Sequence, residues 1–161
     1  MTRELIGFLM LTGVAVIALL IWRSTRKKRA LQETFIAKPL PATGSGGFSA
    51  LYVSTVFEHQ PLDRIWAHGL AMRGNAELRV DDSGVSVVRT GEVGFLIPTQ
   101  QLAGLEAASA TIDKGVERDG LTAIFWKLGN TEVISHFRFT SPGARKDFEK
   151  EVSLLIGAQI G

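Results

Sequence analysis

The first pattern in the chain is a lack of alternation. Residues 5–22, "LIGFLMLTGVAVIALLIW", are 18 positions without a charge, broken by a single hydroxyl at Thr12. As a helix this run extends ~27 Å, close to the hydrocarbon thickness of a bilayer. It is apolar on every side, so it has no polar face to turn to water. Trp22 stands at its end, where an amphipathic ring favours a membrane interface. A cleaved leader is the competing reading, but Arg3 is offset by Glu4 and the run ends Trp-Arg-Ser-Thr-Arg, without small residues for cleavage. The run therefore predicts a retained transmembrane helix over 5–22, after a short tail, 1–4.

Beyond residue 47 the pattern becomes that of short strands. Residues 49–57 are rich in β-branched and aromatic side chains. Residues 76–80 and 85–89 flank Asp81-Asp82-Ser83-Gly84, a hairpin connection with glycine placed for positive φ. Residues 92–98 alternate Val93, Phe95 and Ile97 on one face, and a looser strand falls within 103–112. A further hairpin joins 121–128 to 132–139 around Gly129-Asn130-Thr131. The chain then changes period. Ser141 can cap a helix with Pro142 in its first turn, Phe148, Val152 and Leu155 on one face, and Gly157 as its stop. About seven strands and one amphipathic helix predict an antiparallel sheet with the helix over an opening or edge.

Residues 23–47 separate these regions. Arg23, Arg26, Lys27, Lys28 and Arg29 put five cations directly after the apolar run. Lys and Arg within ~15–20 residues of a span stay on the cytoplasmic side, which places the amino terminus outside and the larger part of the chain in the cytoplasm. With Trp22, the same cations form a candidate membrane surface for anionic headgroups. Pro39 and Pro41 then break any entering helix, and Gly44, Ser45, Gly46 and Gly47 follow. A coil over 30–47 reaches ~23 Å root-mean-square, so the expectation is a domain over 48–161 on a flexible tether.

Charge sharpens this division. The whole chain carries +2, but Arg3 and the five cations account for six of its 18 basic residues. The remaining 12 face 15 acidic residues over 30–161, a net of −3. A basic run without a basic domain behind it argues against a nucleic-acid partner.

The chemistry of catalysis is not visible. There is no cysteine, and His59, His68 and His136 lie far apart without metal-ligand spacing. Asp81-Asp82 sits where turn geometry favours Asp. No cofactor is expected, and no enzyme. The stretch "PLDRIWAHGLAMRG", 61–74, stands out: Pro61 and Gly69 bound a short helical turn with Leu62, Ile65 and Trp66 inward. Arg64, His68 and Arg73 are then the candidate partner-binding residues.

The succession "YVSTVF", "PLDRIWAHGLAMRGNAELRVDDSGVSVVR", "FLIPTQQLAGLE" and "DGLTAIFWKLGNTEVISHFRF" resembles a family of small actinobacterial membrane proteins with one amino-terminal span and a cytoplasmic pleckstrin-homology (PH)-like domain. The resemblance implies a mainly β fold: a seven-stranded, partly open antiparallel barrel capped by the carboxy-terminal helix. PH-like folds bind peptides or phosphoinositide headgroups. The hairpin tips "DDSG" and "KGVERDG" are acidic or balanced, so electrostatics favour a protein partner near the inner leaflet, with membrane lipids met through the anchor. Anionic-lipid or membrane-surface sensing is the alternative function.

Overall fold

The computed structural model describes residues 2–108 and 121–160. Two helices and eight strands are present among them: α1 (Thr2–Phe35), β1 (Phe48–Phe57), β2 (Gln60–Arg64), β3 (Gly74–Asp81), β4 (Gly84–Arg89), β5 (Phe95–Pro98), β6 (Leu102–Ala108), β7 (Leu121–Leu128), β8 (Thr131–Phe139) and α2 (Pro142–Ile160). The strands follow the order β5-β4-β3-β1-β8-β7-β6, antiparallel throughout. β2 pairs with β1 beside this path, through Val56↔Arg64 and Phe57↔Gln60.

The turn chemistry read from the sequence operates. β3 and β4 meet at Asp81↔Gly84, where Asp81 Oδ1 accepts from the Ser83 N–H at 2.9 Å. Gly84 has φ 138°, and a Cβ there would lie 2.0 Å from the Ile97 carbonyl oxygen, so only glycine fits. Bonding from Ser83 holds the Asp81 carboxyl below its ordinary pKa. The acidic pair is a turn device.

The barrel interior collects residues from the strands along this path, with β2 contributing none. Tyr52, Leu78, Val87, Phe95, Ile124, Trp126 and Phe137 are all buried there. α2 closes one end: Phe148 packs edge-on to Phe48 (5.5 Å between centroids) and tilted on Phe139 (4.9 Å), and Val152 is buried beneath it. Ser141 Oγ accepts from the Ala144 N–H at 3.1 Å, the expected amino-terminal cap. Gly157 does not stop α2, which runs on to Ile160. An isolated glycine costs a helix only ~1 kcal/mol, too little to end it.

A row of hydroxyls crosses this apolar interior. Trp126 Nε1 donates to Ser135 Oγ (2.9 Å), Ser135 Oγ meets Thr55 Oγ1 (2.7 Å), Thr55 Oγ1 meets Tyr52 Oη (2.7 Å), and Tyr52 Oη donates to the Leu70 carbonyl (2.5 Å). An indole only donates and a carbonyl only accepts, so each hydroxyl passes one proton along and the direction of the row is forced. Burial pushes the Tyr52 phenol pKa well up.

Several expectations are corrected. α1 does not end near Trp22 or at residue 30 but continues to Phe35, with Arg29 Nε 2.9 Å from Glu33 Oε1 one turn later. The stretch 61–74 opens as strand β2, followed by a 3-10 turn over Ala67–Gly69. In the strand Leu62 is left 81 % exposed; beyond its end Ile65 goes fully inward, and Trp66, with αR backbone at the start of the 3-10 turn, is half-buried. Val93 precedes β5 and is exposed, although Phe95 and Ile97 are buried as expected. β6 accounts for part of the strand expected within 103–112; the rest of that range and the "KGVERDG" tip lie outside the described residues.

Candidate functional site

The segment expected as a flexible tether is a fixed strap. Ile36 is buried in the core. Ala37 occupies space that a side chain at Gly129 would fill, the two Cβ positions being 2.7 Å apart. Leu40 accepts from the Leu96 N–H at 2.8 Å, and Ser86 Oγ accepts from the N–H groups of Thr43 (3.1 Å) and Gly44 (3.3 Å). Residues 36–44 thus cross from the β7–β8 turn to β5 and β4. The prolines suit this extended path, which needs few backbone donors of its own.

Gln32 locks α1 to the domain. Its Oε1 accepts from the N–H groups of Trp66 (2.5 Å) and Ala67 (3.2 Å), and its Nε2 donates to the Arg64 carbonyl (3.3 Å). His68 Nε2 donates to the Ile36 carbonyl at 3.1 Å, from a residue in the left-handed region (φ 55°). From the other side, Arg89 Nη1 donates to the Gly69 carbonyl (2.8 Å). The segment 64–70 is therefore gripped by α1 and by the barrel at once.

This changes the meaning of the three candidate partner residues. Arg64 is exposed at the end of β2, and Arg73 is exposed just before β3. His68 lies between them in sequence, half-buried, with its ring engaged to the strap. The other histidines are elsewhere. His59 is 3.0 Å from Glu132 on the surface, and burial lowers the pKa of His136 on β8, against a weaker opposing bond from Ser54. Among the described residues no group of His, Asp or Glu is placed to hold a metal ion.

The candidate membrane-surface residues sit on the first turns beyond the apolar run. Arg26 stacks its guanidinium 4.5 Å from the centre of the exposed Trp22 ring. At about 100° per residue, Arg23, Arg26, Lys27, Lys28 and Arg29 point around the helix as a collar rather than along one stripe. Just above the collar, α1 and the tips of the β1–β2 and β7–β8 hairpins enclose an open groove of about 720 Å³. Leu31 and Phe35 form its apolar wall and remain 65 % and 58 % exposed; Lys28, Phe57, Asp63 and Glu132 also line it.

A profile of the bacterial PH domain-like family matches residues 37–153. The chain belongs to that family. A comparison with curated proteins finds no match. PH-like domains are generally non-enzymatic binding modules, often for proteins or lipids. The matched region begins inside the strap, so the strap is part of the PH-like unit. Among the described residues one helix, α1 over Arg3–Phe35, is long and apolar enough to cross a membrane, with a mean hydropathy of 2.6 over its most apolar 18 residues and none of them buried.

Sequence reasoning missed Gln32, the strap and the groove. Leu31 and Phe35, one turn apart beyond the cations, were the available signal for an additional apolar face. Gln32→Ala is expected to leave two backbone donors without partners, at about 1–3 kcal/mol for a buried donor. Amide exchange at Trp66 and Ala67 should then accelerate roughly tenfold or more while exchange in β7 and β8 is unchanged. Unchanged rates at Ala67 would show that Gln32 does not hold the junction.

Proposed function

We propose that the protein is a membrane-anchored, non-enzymatic interaction module. α1 crosses the plasma membrane once with its amino terminus outside, and the PH-like domain meets a protein partner at the cytoplasmic face. The observation that carries this reading is the junction. A binding fold is locked by Gln32 and the strap to the end of a helix apolar enough to cross a bilayer. The five cations after the apolar run favour the inward orientation of the domain. In this arrangement Gln32 stands ~15 Å along the helix from Trp22, close above the headgroups.

Arg64 and Arg73 are the exposed cations offered to the partner, and His68 positions the backbone between them. Asp63 and Glu132 line the groove beside Lys28, and Glu58 sits in the β1–β2 turn; these carboxylates disfavour direct contact with an anionic surface. Lipid contact in this reading belongs to Trp22 and the collar, where the Arg26–Trp22 stack suits an interface. That stack favours surface sensing as the second reading.

Purification of the tagged chain from crosslinked membranes should recover a stoichiometric partner. Arg64→Ala with Arg73→Ala should lose it while changing stability by less than ~0.5 kcal/mol, as for exposed substitutions. A partner retained by the double variant removes these cations from the site; binding of the full chain to anionic vesicles with no protein recovered supports the sensing reading. A fluorescent protein fused after Gly161 should be active and alkaline phosphatase at the same place inactive, and the reverse pattern overturns the topology.

A further inference from the structure

Two features of α1 lie on one face of the helix. Within the apolar run, Leu9, Gly13, Val16 and Ile17 form part of a shallow apolar notch, and a Cβ at Gly13 would meet nothing within 4 Å. Beyond the run, Leu31 and Phe35 present exposed apolar surface to the groove. Gly13 and Leu31 are 18 residues apart on one continuous helix, about five whole turns, so they are in line. Phe35 lies one turn further. Gln32, which holds the domain, sits about 100° round the helix from Leu31.

We propose that α1 is a dimerisation helix: a second copy of the chain packs parallel along the Gly13–Ile17–Leu31–Phe35 face, and its cytoplasmic turns fill the groove. The proposal rests on the membrane-spanning reading above. A bilayer fixes both copies in the same orientation and at the same height. The collar of the second copy therefore arrives level with Lys28 of the first, beside Asp63 and Glu132 in the groove wall. Asp63 has no ion-pair partner among the described residues. A cation from the second copy supplies one without any change of register, which an unrelated soluble peptide has no reason to match.

The geometry admits both domains. A two-fold axis parallel to the helices relates identical faces. Each domain is attached about a quarter-turn from the contact face, so the two lie on opposite sides of the helix pair and neither obstructs the other. Gly13 removes side-chain bulk where the helices approach within the bilayer, and Leu31 and Phe35 cover one another where water would otherwise reach them.

The absence of native cysteine permits a direct test in the full chain. Single-cysteine variants Leu31→Cys and Phe35→Cys, oxidised in native membranes, should give covalent dimers in roughly tenfold greater yield than Ala30→Cys and Glu33→Cys, because a disulfide requires close Cβ atoms. Asp63→Lys should lower the Leu31→Cys yield, and adding Lys28→Asp should restore it. Equal yields at all four positions, or none, overturn the pairing. A crosslink from position 31 to a different protein gives the groove to another chain and overturns it as well. Carbonate extraction of the same membranes checks the anchor separately. Release of the protein removes the spanning reading together with the dimer, whereas retention with equal yields removes the dimer alone.

Discussion

Trp126→Ala is expected to destabilise the domain by about 3–5 kcal/mol, the cost of deleting a large aromatic side chain from a packed core. The indole is 1 % exposed and lies nearly parallel to the Phe95 ring, 6.0 Å between centroids. It is also the donor that begins the hydroxyl row, so its loss removes both volume and the hydrogen bond that Ser135 Oγ accepts. Trp126→Phe separates the two contributions: it keeps much of the volume and should cost about 1–3 kcal/mol. Urea unfolding of the detergent-solubilised chain, followed by far-ultraviolet circular dichroism, measures both. A loss under about 1 kcal/mol for the alanine variant would contradict the packing described.

Arg89→Ala should be of comparable size, about 3–5 kcal/mol, for a different reason. The residue is 5 % exposed, yet its guanidinium remains charged. Burial lowers its pKa, and Tyr52 and Glu92 oppose that shift. Its partners are carbonyls: Gly69 at 2.8 Å and Val93 at 2.6 Å from Nη2, with the Tyr52 and Phe95 rings 4.9 and 5.3 Å away. Removing the donor fork strands the buried Gly69 carbonyl, at about 1–3 kcal/mol. It also empties space beside the Tyr52 and Phe95 rings, while the carbonyl of the exposed Val93 can turn to water. Arg89→Lys keeps the charge but cannot span both carbonyls, so it should recover less than half of the loss. Full recovery in the same unfolding assay would show that charge alone matters there.

The barrel strands were legible because their determinants are local. The "DDSG" turn and the Gly129-Asn130-Thr131 connection between 121–128 and 132–139 each specify their own geometry. Gly69, at φ 72°, is different: a Cβ there would lie 2.7 Å from Glu92 Oε2, a contact known only from the fold. Likewise Pro39, Pro41 and the glycines at 44, 46 and 47 have the same composition in a mobile tether and in a strap. Only Ser86 and Leu96, more than 40 residues away, decide between them. The continuation of α1 was partly readable, since Ala30, Leu31, Gln32 and Glu33 are strong helix formers and no breaker precedes Pro39. The candidate site was the least legible part. Arg64 and Arg73 declared themselves by charge, but the role of His68 depends on where the strap passes, and Gln32 gave no sign beyond being polar.

The continuity of α1 with the domain has a mechanical consequence. Spanning helices tilt to match the hydrocarbon thickness around them, by about 20° on average. A tether of coil would absorb such a change, but Gln32, Ile36 and the strap leave no hinge between the span and the barrel. In the membrane-spanning arrangement proposed above, any change in tilt is therefore delivered in full to the PH-like domain, which re-aims its outward face by the same angle. Under that proposal bilayer thickness, set by lipid composition far from any binding surface, becomes an input to the direction in which the domain faces.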